Sequence, residues 1–113
     1  TFVALLRATG APVTFDLGHA HGSAWVQSGR GSVVDFLKSI PTPILAGHLY
    51  FTERDDSHVP PAEVADVAAA LDGLRAAGCD WWVLELHTRD TLEQTRRVVD
   101  QYLAGSGPSR SNT

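Results

Sequence analysis

Three short apolar runs, each closed by a group able to bind a cation or move a proton, constrain this chain more than any other feature. Val13 to Asp16 ends on an acid, Ile44 to Leu49 carries His48 near its exit, and Trp81 to Leu86 carries Glu85. The polar groups recur at about one strand-plus-helix unit, roughly 30 residues. A strand that only filled a core would not leave through "DLGHAH", where Asp16 is followed by His19 and His21.

The segments between these runs have helical periodicity. Ser32 is a candidate N-cap with Asp35 three residues on, and Val33, Phe36, Leu37 and Ile40 fall on one face before Pro41 and Pro43 end the helix. A longer helix is predicted from about Ala62 to Ala77, burying Val64, Val67, Leu71 and Leu74, with Gly78 past its end. A last helix, capped by Asp90 or Thr91, buries Leu92, Thr95, Val99 and Tyr102. An opening helix with Phe2, Leu5 and Leu6 on one side stops at Gly10, and "YFTERDDSHVPP" is predicted as a polar loop. Alternating strands and crossover helices imply parallel strands.

Successive side chains on a strand point to opposite faces. Thr14 then shares a face with Asp16, Ala46 and Ile44 with His48, and Val83 and Trp81 with Glu85. Val13, Phe15, Leu45, Leu49, Trp82, Leu84 and Leu86 take the side facing the helices. Equivalent ends of neighbouring parallel strands lie at one rim, so the phase predicts that Asp16, His48 and Glu85 meet. Two carboxylates and an imidazole in a partly buried site are costly unless compensated. A divalent cation compensates them, and mixed oxygen and nitrogen ligation suits Mn²⁺, Co²⁺, Mg²⁺ or Zn²⁺.

Composition narrows the partners. With 113 residues the chain holds one domain at most, and 43% hydrophobic with 19% charged residues is ordinary for a soluble fold. A formal charge of −4 argues against broad binding to nucleic acid or anionic membranes. No apolar run approaches the roughly 20 residues that span a bilayer. A single cysteine, Cys79, cannot form an internal disulfide, and a cytoplasmic location is the default expectation. The chain contains no methionine and opens at Thr1, so it reads as the C-terminal part of something longer. The expected organisation is an α/β domain over residues 1–104 and a disordered tail over 105–113.

At "FDLGHAH", "GHLYFTERDDSHVPP" and "WVLELH", over Val13 to Leu103, the chain resembles the xylose isomerase-like barrel superfamily. That group includes sugar-phosphate isomerases and epimerases and the metal-dependent apurinic endonucleases. The resemblance implies the last three βα units of a (β/α)8 TIM barrel, here a partial barrel, with Asp16, His48 and Glu85 as metal ligands. It implies that His19 contacts substrate or a further metal, and that Asp56 and His58 bind an additional metal in the endonuclease branch. Arg54 resembles a substrate-oxygen-binding arginine of the ketose epimerases. A further metal-binding Glu would lie on a strand before Thr1.

The leading expectation is a metal-dependent isomerase or epimerase of carbohydrate metabolism, acting on a small sugar or sugar phosphate. In it Glu85 and His19 serve catalysis, and His19 and Arg54 hold substrate. Trp25 and Phe51 are candidates for an apolar wall, or for packing alone. The rivals are a phosphodiesterase of the apurinic endonuclease type and a fragment without activity of its own. Two open sheet edges and an uncovered inner face make homo-oligomers an expectation too. His87 shares the phase of Glu85 and is a candidate rim residue; His21 is expected to cap the loop after it.

Overall fold

A computed structural model describes residues 2–106, without the side chains of Phe2 and Ser106. The tail expected from 105 onward therefore lies outside the described residues from 107; Gly105 and Ser106 belong to the last helix. Five strands and six α-helices follow in the order α1 (Phe2–Thr9), β1 (Val13–Asp16), α2 (Leu17–His21), α3 (Ala24–Gln27), α4 (Val33–Lys38), β2 (Ile44–Leu49), β3 (Thr52–Arg54), β4 (Ser57–Val59), α5 (Ala68–Ala76), β5 (Trp82–Leu84) and α6 (Arg89–Ser106). A 3₁₀ turn, Val64–Asp66, precedes α5. The architecture is mixed α/β: β1, β2 and β5 form a parallel three-stranded sheet in the order β1-β2-β5, and among the described residues no barrel closes. Among the described residues no helix is long and apolar enough to cross a membrane.

Local chemistry sets most boundaries. Gly10 stops α1 with φ of +68°, a left-handed conformation that costs glycine little. Ser32 and Asp35 close a full capping box on α4, the serine hydroxyl accepting from Asp35 N and the Asp35 carboxylate from Ser32 N, both at 3.0 Å. The long helix predicted from Ala62 is divided: Asp66 folds back to accept from Ala62 N and Glu63 N, making a 3₁₀ turn, and the α-helix proper begins at Ala68. On α6 the cap is Thr88 rather than Asp90 or Thr91, its hydroxyl accepting from Thr91 N at 3.1 Å. Two short helices, α2 and α3, occupy the stretch after β1, where no helix was expected.

One layer of helices covers one face of the sheet. The core gathers Phe15, Leu37, Ile44, Leu49, Val67, Leu71, Leu74, Val98, Val99 and Tyr102, with Trp82 and Leu84 packed against it. Leu71 and Leu74 are fully buried. Four apolar residues depart from their predicted side. Leu5 is exposed while Leu6 is buried on α1, and Leu92 is exposed while Val98 takes a core place on α6. On β2 it is Ile44 that faces the helices and Leu45 that stands in solvent. The cause is an irregularity in pairing: Val13 sits opposite Ile44 but Thr14 opposite Ala46, so Leu45 is an extra residue that reverses the phase of the strand's first half. From Ala46 onward the predicted alternation holds.

The expected polar loop after β2 is instead an antiparallel hairpin, β3 against β4, with Thr52 opposite Val59 and Arg54 opposite Ser57. Asp55 and Asp56 form its turn with φ of +51° and +61°. Both central residues at positive φ are what a two-residue turn matching the strand twist requires, and aspartate tolerates that conformation better than most.

Candidate functional site

The strand register brings the three predicted groups together. Asp16 and His48 are direct partners across β1 and β2, and Glu85 follows β5 with its amide donating to Leu49 O at 3.0 Å. One ligand atom from each of Asp16, His48 and Glu85 lies within 4.8 Å of the others, and all three residues are half-buried. His48 Nδ1 is 2.9 Å from Glu85 Oε2.

Each candidate ligand has a polar partner, Glu85 and His48 in each other. Asp16 caps α2, its Oδ1 accepting from His19 N at 2.8 Å, which leaves its second oxygen for the site. This is the physical content of the Asp-x-x-His spacing: the acid ends a strand and starts a helix. Among the described residues neither Asp16 nor Glu85 has a lysine or arginine partner. Two carboxylates and an imidazole so arranged fit a divalent cation, which would supply the missing positive charge.

The remaining predicted residues scatter around this centre. His19 is exposed, and its Nδ1 lies 3.0 Å from Glu53 Oε1 instead of joining the trio. Arg54 is exposed on β3 near the turn. Asp56 sits in the turn itself and belongs to no ligand group among the described residues. His58, on β4, lies flat against Tyr50, with ring centroids 3.7 Å apart and planes 4° from parallel. Its Nδ1 donates to the Glu85 carbonyl at 2.7 Å. Among the described residues Asp56 and His58 are not gathered with a third ligand group. His87 is exposed and touches the His58 ring at 4.6 Å. His21 does not cap the following loop: its Nδ1 is buried without a partner and its ring rests on Phe51. Trp25 packs edge-on against Phe36 and lies over Gly31, and Cys79 is buried.

Two residues of the site escaped the sequence reading. Glu53, on β3, pairs with His19 on α2, and only the unforeseen hairpin brings it there. Tyr50 is almost fully buried directly after β2. Burial, then hydrogen bonding to and the charge of Asp16, then Glu53, push its hydroxyl well above the usual tyrosine range, so it stays protonated. A signal for Tyr50 was present, since it lies two residues beyond His48 and so in the same phase.

Comparison with known proteins adds one likeness. No family model matches the chain, and no solved structure matches it. The chain is similar to an uncharacterized protein of Methanocaldococcus jannaschii, MJ0008, with 28% identity over 91 residues. The match covers 80% of this chain and 38% of that protein, so the chain spans well under half the length of its relative.

Proposed function

We propose that this chain contributes three consecutive βα units to a xylose isomerase-like barrel, and that it serves a metal-dependent isomerase or epimerase acting on a sugar or sugar phosphate. The observation that carries this reading is the meeting of Asp16, His48 and Glu85 at the exits of three parallel strands. Active sites of parallel α/β barrels lie at that end, where residues from several strands converge.

Asp16, His48 and Glu85 would hold the cation. Bound there, a divalent cation would polarise a substrate carbonyl and acidify the neighbouring C–H. Glu85 also has a proton-transfer role, since its carboxylate lies beside His48 and is open to solvent on one side. The exposed His19, braced by Glu53, would hold a substrate oxygen, and Arg54, exposed on β3, would offer a second contact. The shared phase of the strands leaves this rim open to a small polar ligand, consistent with a sugar.

Titration of the full chain with Mn²⁺, followed by calorimetry, tests the reading. One equivalent should bind, and Glu85→Gln should weaken binding at least tenfold. Equal Mn²⁺ affinity in the wild type and in the Asp16→Asn, His48→Gln and Glu85→Gln variants would remove the metal site and the mechanism with it.

A further inference from the structure

The β3–β4 hairpin reaches the exits of both outer strands of the sheet. Glu53 and His58 are direct partners in its register, so their side chains leave the same face. Glu53 reaches one way, its Oε1 3.0 Å from His19 Nδ1, and the amide of His19 donates to Asp16 Oδ1. His58 reaches the other way, its Nδ1 2.7 Å from the Glu85 carbonyl. Two facing residues of one hairpin thus contact the chain beside Asp16 and at Glu85.

We propose that His58 is a positioning residue that holds Glu85 in place for the cation by donating from Nδ1 to its main-chain carbonyl. This role rests on the metal-centre reading above. Glu85 lies directly after β5, past Leu84, the last residue paired with β2. Its amide donates to Leu49 O, and its carbonyl accepts from the hairpin. The hairpin therefore completes the main-chain bonding of a residue that the sheet alone leaves half held. The bond also fixes the imidazole tautomer. A carbonyl oxygen only accepts, so the hydrogen of a neutral His58 ring sits on Nδ1 and Nε2 keeps its lone pair. The same Nδ1 is 3.9 Å from Glu85 Oε1, beyond hydrogen-bonding distance, which leaves the carboxylate to face His48, 2.9 Å from Oε2. Tyr50, stacked flat on the ring, sets its plane. A phenylalanine at position 58 would stack as well but could not donate. Partners that orient a ligating residue from outside are typically worth 10–100-fold in metal affinity.

Measurements on the full chain test the role. At about pH 8, where an ordinary histidine is neutral, proton–nitrogen NMR of the wild type should place the ring hydrogen of His58 on Nδ1. A hydrogen on Nε2 instead overturns the proposal with no variant needed. His58→Phe keeps a ring against Tyr50 and loses the donor; His58→Asn loses the ring and keeps an N–H near the place of Nδ1. In the metal-free chain the carbon-13 resonance of the Glu85 carbonyl should move in His58→Phe and return toward its wild-type position in His58→Asn. With Mn²⁺ as the probe, His58→Phe should bind about tenfold more weakly, and His58→Asn should regain most of that loss. An unmoved carbonyl resonance or wild-type Mn²⁺ affinity in His58→Phe overturns the role, whether or not His58→Asn folds. Equal loss in a folded His58→Asn assigns the effect to the ring's bulk and overturns it too. If the wild type itself binds no Mn²⁺, the metal-centre reading falls, while the tautomer and the carbonyl resonance still decide whether His58 holds Glu85.

Discussion

Thr14 and Phe15 are neighbours on β1, yet Thr14 stands in solvent and Phe15 is 4% exposed. The same division runs across the sheet. Toward the helices lie Phe15, Ile44, Leu49, Trp82 and Leu84, sealed by Leu71 and Leu74 from α5 and by Tyr102 from α6. Toward the other side lie Thr14, Leu45 and Val83, with Trp81 just before β5, and no helix of the described chain covers them. The covered face tolerates little: Gly47 is there because Leu74 leaves no room for more. The open face carries the groups able to do chemistry, at its rim. The packed core and the candidate ligand groups are thus divided between opposite sides of the same three strands.

The sharpest test of the covered face is Leu74→Ala. A fully buried leucine truncated in a packed core costs about 2–5 kcal/mol, the lost transfer energy plus the cavity left behind. Urea unfolding should show that loss, and a cost below 1 kcal/mol would mean that the helix layer is not packed as described. Gly47→Ala comes next. Its new Cβ would lie 2.9 Å from Leu74 Cδ1, and overpacking of this kind costs about 1–3 kcal/mol. The contrast is Ala46→Val, one residue earlier and on the half-open side, where the same melt should show a much smaller change.

Tyr50 sits where the two faces meet, and pH probes it. Burial and the nearby acids raise its folded-state value above that of an unfolded tyrosine, which loses its proton near about pH 10. Above that pH the unfolded chain gives up a proton that the folded chain keeps, so stability is full below about pH 10 and falls as pH rises further. Urea midpoints measured on both sides of pH 10 should fall more steeply for the wild type than for Tyr50→Phe. Parallel slopes would place the hydroxyl in water.

The covered face was largely legible in the sequence because it obeys simple periodicities. The bounds of β1 and β2, the capping box of Ser32 and Asp35, and the buried Leu71 and Leu74 all follow from spacing of two or of about 3.6 residues. The meeting of Asp16, His48 and Glu85 followed from the same alternation, read at the strand exits. What escaped notice depends on local departures from the period. One extra residue at Leu45 reverses the first half of β2, and Asp66 folding back on Ala62 shortens a helix. The hairpin was hidden because its turn is "DD" and not the Asn-Gly or Asp-Gly pair that marks such turns. With it went Glu53 and the true setting of His58, since both are brought to the site by β3 and β4 and not by the parallel sheet.

The smallest expected effect is on the open face, and it bears most directly on the barrel reading. Leu45 and Trp81 are 62% and 68% exposed. Substitutions at such positions usually stay within about 0.5 kcal/mol, so Leu45→Ser and Trp81→Ser should melt with the wild type. A barrel turns this face inward, and inside one the same changes would empty places in a packed interior. The pair should therefore be neutral in the chain taken alone and costly, by about 2 kcal/mol or more, in a longer protein whose further strands close over the sheet. A large cost in the isolated chain, accompanied by a loss of mass in sedimentation, would show that copies of the chain already cover the face for one another. Neutrality in both settings would leave the sheet open by design and count against the barrel.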